Sequence, residues 1–125
     1  MRSLRILLAE DQADSAFVLQ RLLTIEGHRV ALAHSVADAL SRAAAMPFDL
    51  LLSDLTLPDG TGFELMQQLC QISPLRGIAV TGHDASEVQH QCLAAGFNEC
   101  LVKPVSMALL NAAIARVLAH EPCPQ

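Results

Sequence analysis

The chain has 125 residues, is 52% hydrophobic and carries a formal charge of −5 at pH 7. That length suits one domain with one sizeable core, and high apolar content with modest charge disfavours disorder. Eight basic residues against thirteen acidic, with no Trp or Tyr, make nucleic acid a poor partner, and no apolar run is long enough for a membrane span.

Short apolar runs alternate with longer amphipathic stretches. The first run, residues 4–9, ends in Glu10 and Asp11, too soon for a signal peptide. A helix is predicted over about 14–26, with Val18, Leu19, Leu22 and Ile25 on one stripe and Gly27 as its stop. A second strand follows at 30–33. Ser35 is the expected N-cap of a second helix that ends before Met46 and Pro47. The third strand covers 50–53. After it, residues 58–62 have turn chemistry but no following lysine, so they are no phosphate-cradling P-loop. The third helix begins near Gly62, carries Phe63, Met66 and Leu69, and ends at Ser73-Pro74. The fourth strand is 78–80 and the fourth helix about 85–95, closed by Gly96. The fifth strand is 100–102. The fifth helix opens at Ser106 with Leu110, Ala113, Ile114 and Val117.

The strand runs are continuous rather than alternating, as in strands buried on both faces. Strand and helix in alternation imply an α/β fold with a parallel sheet. Right-handed crossovers then favour a doubly wound three-layer sandwich, five strands in the order 2-1-3-4-5 with five helices. Cys70, Cys92, Cys100 and Cys123 form no CxxC pair, so reduced thiols are expected.

In such a sheet, chemistry gathers where strands end. Glu10 and Asp11 follow the first strand, Asp54 the third, Thr81 and Gly82 the fourth, Lys103 and Pro104 the fifth. His34 and Ser35, after the second, fall toward the far edge. Each pair of carboxylates about 5 Å apart repels by roughly 3 kcal/mol at an effective dielectric near 20. Protonation or a cation must offset that. Hard oxygen donors, few in number, suit Mg²⁺ awaiting a phosphate, and Lys103, the one lysine of the chain, adds a positive charge. Such a set fits attack of Asp54 on phosphorus, with charge neutralised by Lys103 and the Thr81 hydroxyl.

These residues and their surroundings resemble the response-regulator receiver domains of two-component signalling. The matching segments are residues 7–11, 49–60, 78–82 and 101–104, in an order and spacing that together are specific. The likeness spans Leu4 to about Leu118. It implies a flavodoxin-like fold over residues 1–121, with 122–125 a short tail. It implies a cytoplasmic phosphoacceptor module rather than a turnover enzyme. Asp54 would take the phosphoryl group from a phosphohistidine of a histidine kinase or histidine phosphotransfer domain. Mg²⁺ would be held by Asp11, Asp54 and the backbone carbonyl of Thr56, with Glu10 acting mainly through water. Thr81 and Lys103 would grip the phosphoryl oxygens, and the bond before Pro104 would be cis. Thr56, Gly82 and His83 stand at or beside positions that tune phosphoryl lifetime. The turn at 58–62 is a candidate kinase contact. Neither membrane nor nucleic acid is an expected partner of this domain.

Cys100 departs from the family, which usually has an aromatic there. It predicts a weaker or altered output change on the face of the fourth helix, fifth strand and fifth helix, a face that could also serve a downstream partner or a homodimer. The alternative reading is a degenerate receiver that acts as an interaction module without phosphorylation. An aspartate-nucleophile phosphatase of the haloacid dehalogenase type is more remote, because Thr56 stands where that family needs a second Asp. A flavodoxin would want aromatics against its flavin. No output domain follows Leu118 here, so a stand-alone receiver and a piece of a larger protein, such as a hybrid histidine kinase, both stay open.

Overall fold

The computed structural model describes residues 3–82 and 85–119. Its elements are β1 (Arg5–Ala9), α1 (Ala13–Ile25), β2 (Arg29–Ala33), α2 (Val36–Ala45), β3 (Leu50–Asp54), β4 (Thr56–Leu57), β5 (Gly60–Thr61), α3 (Gly62–Ile72), β6 (Arg76–Thr81), α4 (Ala85–Ala95), β7 (Glu99–Val102) and α5 (Met107–Leu118). Five of the strands form one sheet in the order β2-β1-β3-β6-β7, every neighbouring pair parallel. This is the expected doubly wound order. The expectation missed a small antiparallel hairpin, β4 against β5, pairing Thr56 with Thr61 and Leu57 with Gly60.

Two cores flank the sheet. Leu7, Ala9, Leu51 and Ala79 point toward α2, α3 and α4, where they meet Ala39, Leu65, Met66, Leu69 and Cys92. Ile6, Leu8, Leu50, Leu52, Ile78 and Val80 point toward α1 and α5, where they meet Leu19, Leu23, Leu110, Ala113, Ile114 and Val117. A strand shows successive side chains to opposite faces, so apolar partners on both sides demand the unbroken leucine run of Leu50, Leu51 and Leu52. All four residues expected inside on the last helix are buried. The first helix is rotated from expectation: Ala16, Leu19 and Leu23 are buried, whereas Val18 is 50% and Ile25 64% exposed.

Ser35, Thr61 and Ser106 cap α2, α3 and α5, each side-chain oxygen accepting a backbone N–H three residues on. Such a bond satisfies one of the donors a helix start leaves open. Cys92 and Cys100 are free thiols. Cys70 is disulfide-bonded, which corrects the expectation of reduced thiols throughout. Among the described residues, no helix is long and apolar enough to cross a membrane.

Candidate functional site

The carboxyl ends of β1, β3, β6 and β7 lie side by side, and their last residues build one polar site. Parallel register does this directly: Ala9 is level with Ser53, Asp54 with Val80, and Thr81 with Val102. Each strand therefore delivers its next residue to the same rim.

Glu10, Asp11 and Asp54 place one carboxylate oxygen each within 4.8 Å of one another. Glu10 is buried, 1% exposed; Asp11 is exposed and Asp54 half-buried. Lys103 ties two of the three together, its Nζ donating to Glu10 Oε1 at 2.5 Å and to Asp54 Oδ2 at 3.2 Å. The remaining oxygens are also engaged. Glu10 Oε2 accepts the Gln12 N–H at 3.3 Å, and Asp54 Oδ1 accepts the Thr56 N–H at 3.3 Å. Burial, reinforced by Asp54 and opposed by Lys103, holds the Glu10 carboxyl above its ordinary value. Burial also works against the Lys103 ammonium, but Glu10 and Asp54 outweigh it and hold the ammonium above its ordinary range. One cation among three carboxylates leaves an excess of negative charge and hard oxygen donors, the chemistry that Mg²⁺ suits.

Lys103 is fixed by its backbone as well. Its N–H donates to the Thr81 carbonyl at 2.8 Å, and the peptide bond to Pro104 is cis. Thr81 is buried at the end of β6. Gly82, next along, is exposed, and a methyl group added to its Cα would meet nothing within 4 Å. His83 lies outside the described residues. Cys100 is half-buried and packs against the core beneath α2, α3 and α4.

The segment after Asp54 is shaped by two residues. The Gly62 N–H donates to the Leu55 carbonyl at 3.0 Å, and a Cβ on Gly62 would stand 2.3 Å from the Asp54 carbonyl oxygen. Only glycine lets α3 start so close to the end of β3. Asp59, at the hairpin turn, accepts the Val36 and Ala37 N–H groups at 2.7 and 2.9 Å. Those bonds, Ala37 first, hold its carboxyl below the ordinary value. The turn is thereby pinned to the start of α2. The sequence signal for this was weak: an Asp in a turn has a partner only once the fold brings α2 alongside.

Beside the rim runs a cleft of about 350 Å³, lined by Asp14, Ser15, Val18 and Leu19 from α1, and by Val80, Lys103, Pro104 and Val105. Expectation placed Val18 in the core. Instead it lines this cleft, with Phe17 beside it 63% exposed.

Residues 6–115 match the family model described as the response regulator receiver domain. The chain is 31% identical over 116 residues to the transcriptional regulatory protein ZraR of Salmonella typhimurium, covering 92% of this chain and 26% of that protein. It is 31% identical over 120 residues to the sensor protein EvgS of Escherichia coli, covering 94% of this chain and 10% of that one. The chain thus spans about a quarter or less of these relatives. Among solved structures, a CheY-like receiver domain protein of Methanospirillum hungatei superposes with a TM-score of 0.85 at 29% identity, covering 94% of this chain and 95% of that one.

Proposed function

Since the chain belongs to the response regulator receiver domain family, we propose that Asp54 is its phosphoacceptor, charged from a phosphohistidine in a Mg²⁺-dependent step. The observation that carries this reading is the Lys103 ammonium bridging Glu10 and Asp54 within a cluster of three carboxylates. The family is a signalling module, and the degenerate-receiver alternative has no comparable support: the full acidic set is grouped at one rim, and Lys103 contacts two of its three members.

In the transfer, a carboxylate oxygen of Asp54 forms a bond to phosphorus while the phosphorus–nitrogen bond of the donor histidine breaks. The electron pair of that bond leaves with the imidazole nitrogen, and Asp54 becomes an acyl phosphate. Glu10, Asp11, Asp54 and the Thr56 carbonyl would hold Mg²⁺, which supplies positive charge against the phosphoryl oxygens. Lys103 already stands against Asp54 Oδ2, so its ammonium would shift to a phosphoryl oxygen without a large movement. Thr81, at the end of the adjoining strand, would donate its hydroxyl. Gly82 leaves open space, and with Thr56 and His83 it would govern how readily water reaches the acyl phosphate.

The cleft between α1 and Pro104 suits the donor. Its apolar lining, Val18, Leu19 and Val105, lies next to Lys103, so a helix laid there would bring a histidine to the rim. We assign that helix to a histidine kinase or histidine phosphotransfer domain. The turn at Asp59 is the weaker candidate contact, since its carboxylate is already committed to α2. A downstream partner or a second copy would use the face of α4, β7 and α5, where Leu93, Val102 and Leu109 are exposed. Relatives that carry such a domain include both regulators and sensor proteins; the chain fits either setting.

The test is transfer from a phosphorylated histidine phosphotransfer domain, followed with and without Mg²⁺. Labelling of this chain that requires Mg²⁺ is expected. Labelling that persists unchanged in excess chelator would contradict the proposed metal role.

A further inference from the structure

The amino ends of the strands, opposite the carboxylate rim, carry two arginines side by side. Arg5 opens β1 and Arg29 opens β2, and the two stand in register on neighbouring strands. Residues two apart on a strand share a face. Arg5 therefore points with Leu7 and Ala9, and Arg29 with Ala31 and Ala33, toward the layer of α2. Like charges directly opposite on a sheet repel. Three other arginines have partners: Arg42 pairs with Asp38, Arg116 with Glu99, and Arg21 lies over the Phe17 ring. Arg5 and Arg29 are exposed, and neither guanidinium has an ion pair or hydrogen-bond partner among the described residues. Asp49 Oδ2, at the head of β3, accepts the backbone N–H of Arg5 at 2.9 Å. The two arginines line a groove of about 180 Å³ with Val30, Ala31, Met46 and Phe48. Met46 is exposed there and Phe48 half-buried.

The same groove adjoins a free strand edge. β2 is the last strand of the sheet and pairs with β1 alone. In a parallel pair, alternate residues bond to the neighbour and the rest face away. The Arg29 N–H donates to the Leu4 carbonyl at 2.8 Å, and the Ala33 carbonyl accepts the Glu10 N–H at 3.0 Å, so Arg29, Ala31 and Ala33 serve β1. Val30 and Leu32 turn their N–H and carbonyl groups outward, and among the described residues no partner bonds them. The next outward N–H, that of His34, donates to Asp38 Oδ2 at 3.2 Å. An open edge of this kind is a template for another strand. We propose that β2, with Arg5 and Arg29 beside it, is a docking site for an extended acidic segment of a partner protein, which joins the five-stranded sheet along this edge. Backbone bonds to Val30 and Leu32 hold the segment. Carboxylates on its alternate residues pair with the two guanidiniums, and their aliphatic stems lie against Met46 and Phe48. Charge selects the occupant: β2 itself, Arg29–Ala33, holds no carboxylate, so a second copy laid edge to edge brings arginine where acid is needed. The site lies at the opposite end of the sheet from Asp54 and does not depend on phosphoryl transfer.

The probe is the acetylated, amidated peptide Val-Glu-Val-Glu-Val, added to the isotope-labelled full chain and followed by amide resonances and hydrogen exchange. Saturable binding is expected, weakened by added salt, with exchange slowed at Val30 and Leu32 and little changed at Ala31, whose N–H already bonds to β1. The same peptide with every backbone nitrogen methylated keeps its charge but cannot pair as a strand, and should bind at least about tenfold more weakly. A variant combining Arg5→Gln and Arg29→Gln, its fold checked by circular dichroism, should lose at least about tenfold in affinity for the unmethylated peptide. No saturable binding by about 1 mM peptide, equal binding by the methylated peptide, or wild-type binding by the folded double variant would each overturn the site. So would slowed exchange at Val30 and Leu32 that rises with protein concentration alone, which would mark a second copy as the occupant. Free glutamate producing the full effect of the peptide would likewise overturn it in favour of a small anion.

Discussion

Lys103 is a compact ammonium serving two carboxylates on different strands. A planar guanidinium carries the same charge but spreads it over a fork, and cannot sit as a point between Glu10 and Asp54. A Lys103→Arg variant is therefore expected to keep its fold yet lose most of its phosphorylation-dependent change. Amide chemical shifts with and without a phosphodonor would read this; a wild-type spread of shifts would contradict it. His28 shows a second kind of residue-scale control. It is 4% exposed, its Nδ1 accepts the Leu4 N–H at 3.1 Å, and its Nε2 has no partner. Burial, partly opposed by Glu26, holds its folded value below the ordinary 6.5. The unfolded chain binds the proton more readily, so this contribution to stability is complete above about pH 6.5 and is lost as pH falls through the folded value. Urea midpoints should drop over that range in wild type. They should drop less in His28→Asn, which keeps an acceptor for Leu4; equal slopes would show that His28 carries none of the effect.

At the scale of elements, the strands and the rim were legible because they follow local rules. A short unbroken apolar run bounded by polar residues and alternating with longer amphipathic stretches reads as a strand buried on both faces, so the sequence alone assigns Glu10, Asp54, Thr81 and Lys103 to strand ends. The rotation of α1 was not legible. Ala16, Leu19 and Leu23 lie on one stripe and Val18, Leu22 and Ile25 on an adjoining one, and both satisfy helical periodicity. Packing against β1 and β2 selects the first and leaves Val18 for the cleft. The β4–β5 hairpin was hidden for a related reason, since two-residue strands have no periodicity to show. Asp59 holds that hairpin to α2. Its folded value is depressed, so its contribution to stability is present above its unfolded value near 3.8 and lost as pH falls through the folded one. Asp59→Asn is expected to unfold at lower denaturant than wild type at pH 7, with the gap narrowing toward pH 3. A constant gap would point to lost packing rather than lost charge.

At the scale of the whole molecule, the sheet and the two helix layers packed on it frame one small rim. Two packed layers of helices fix four parallel strand ends, and a charged cluster too repulsive to assemble alone is held together by the sheet and by Lys103. What lies beyond this domain in its curated relatives, which are roughly four to ten times as long, has no counterpart among these residues. Phosphorylation at Asp54 is open to direct test. Its most direct measurement is borohydride reduction of the phosphorylated chain, which converts an aspartyl phosphate to homoserine, followed by peptide sequencing. Homoserine at position 54, absent from an Asp54→Asn variant that remains folded, is the predicted result. Homoserine at position 11, or a labelled chain with Asp54 unmodified, would contradict it.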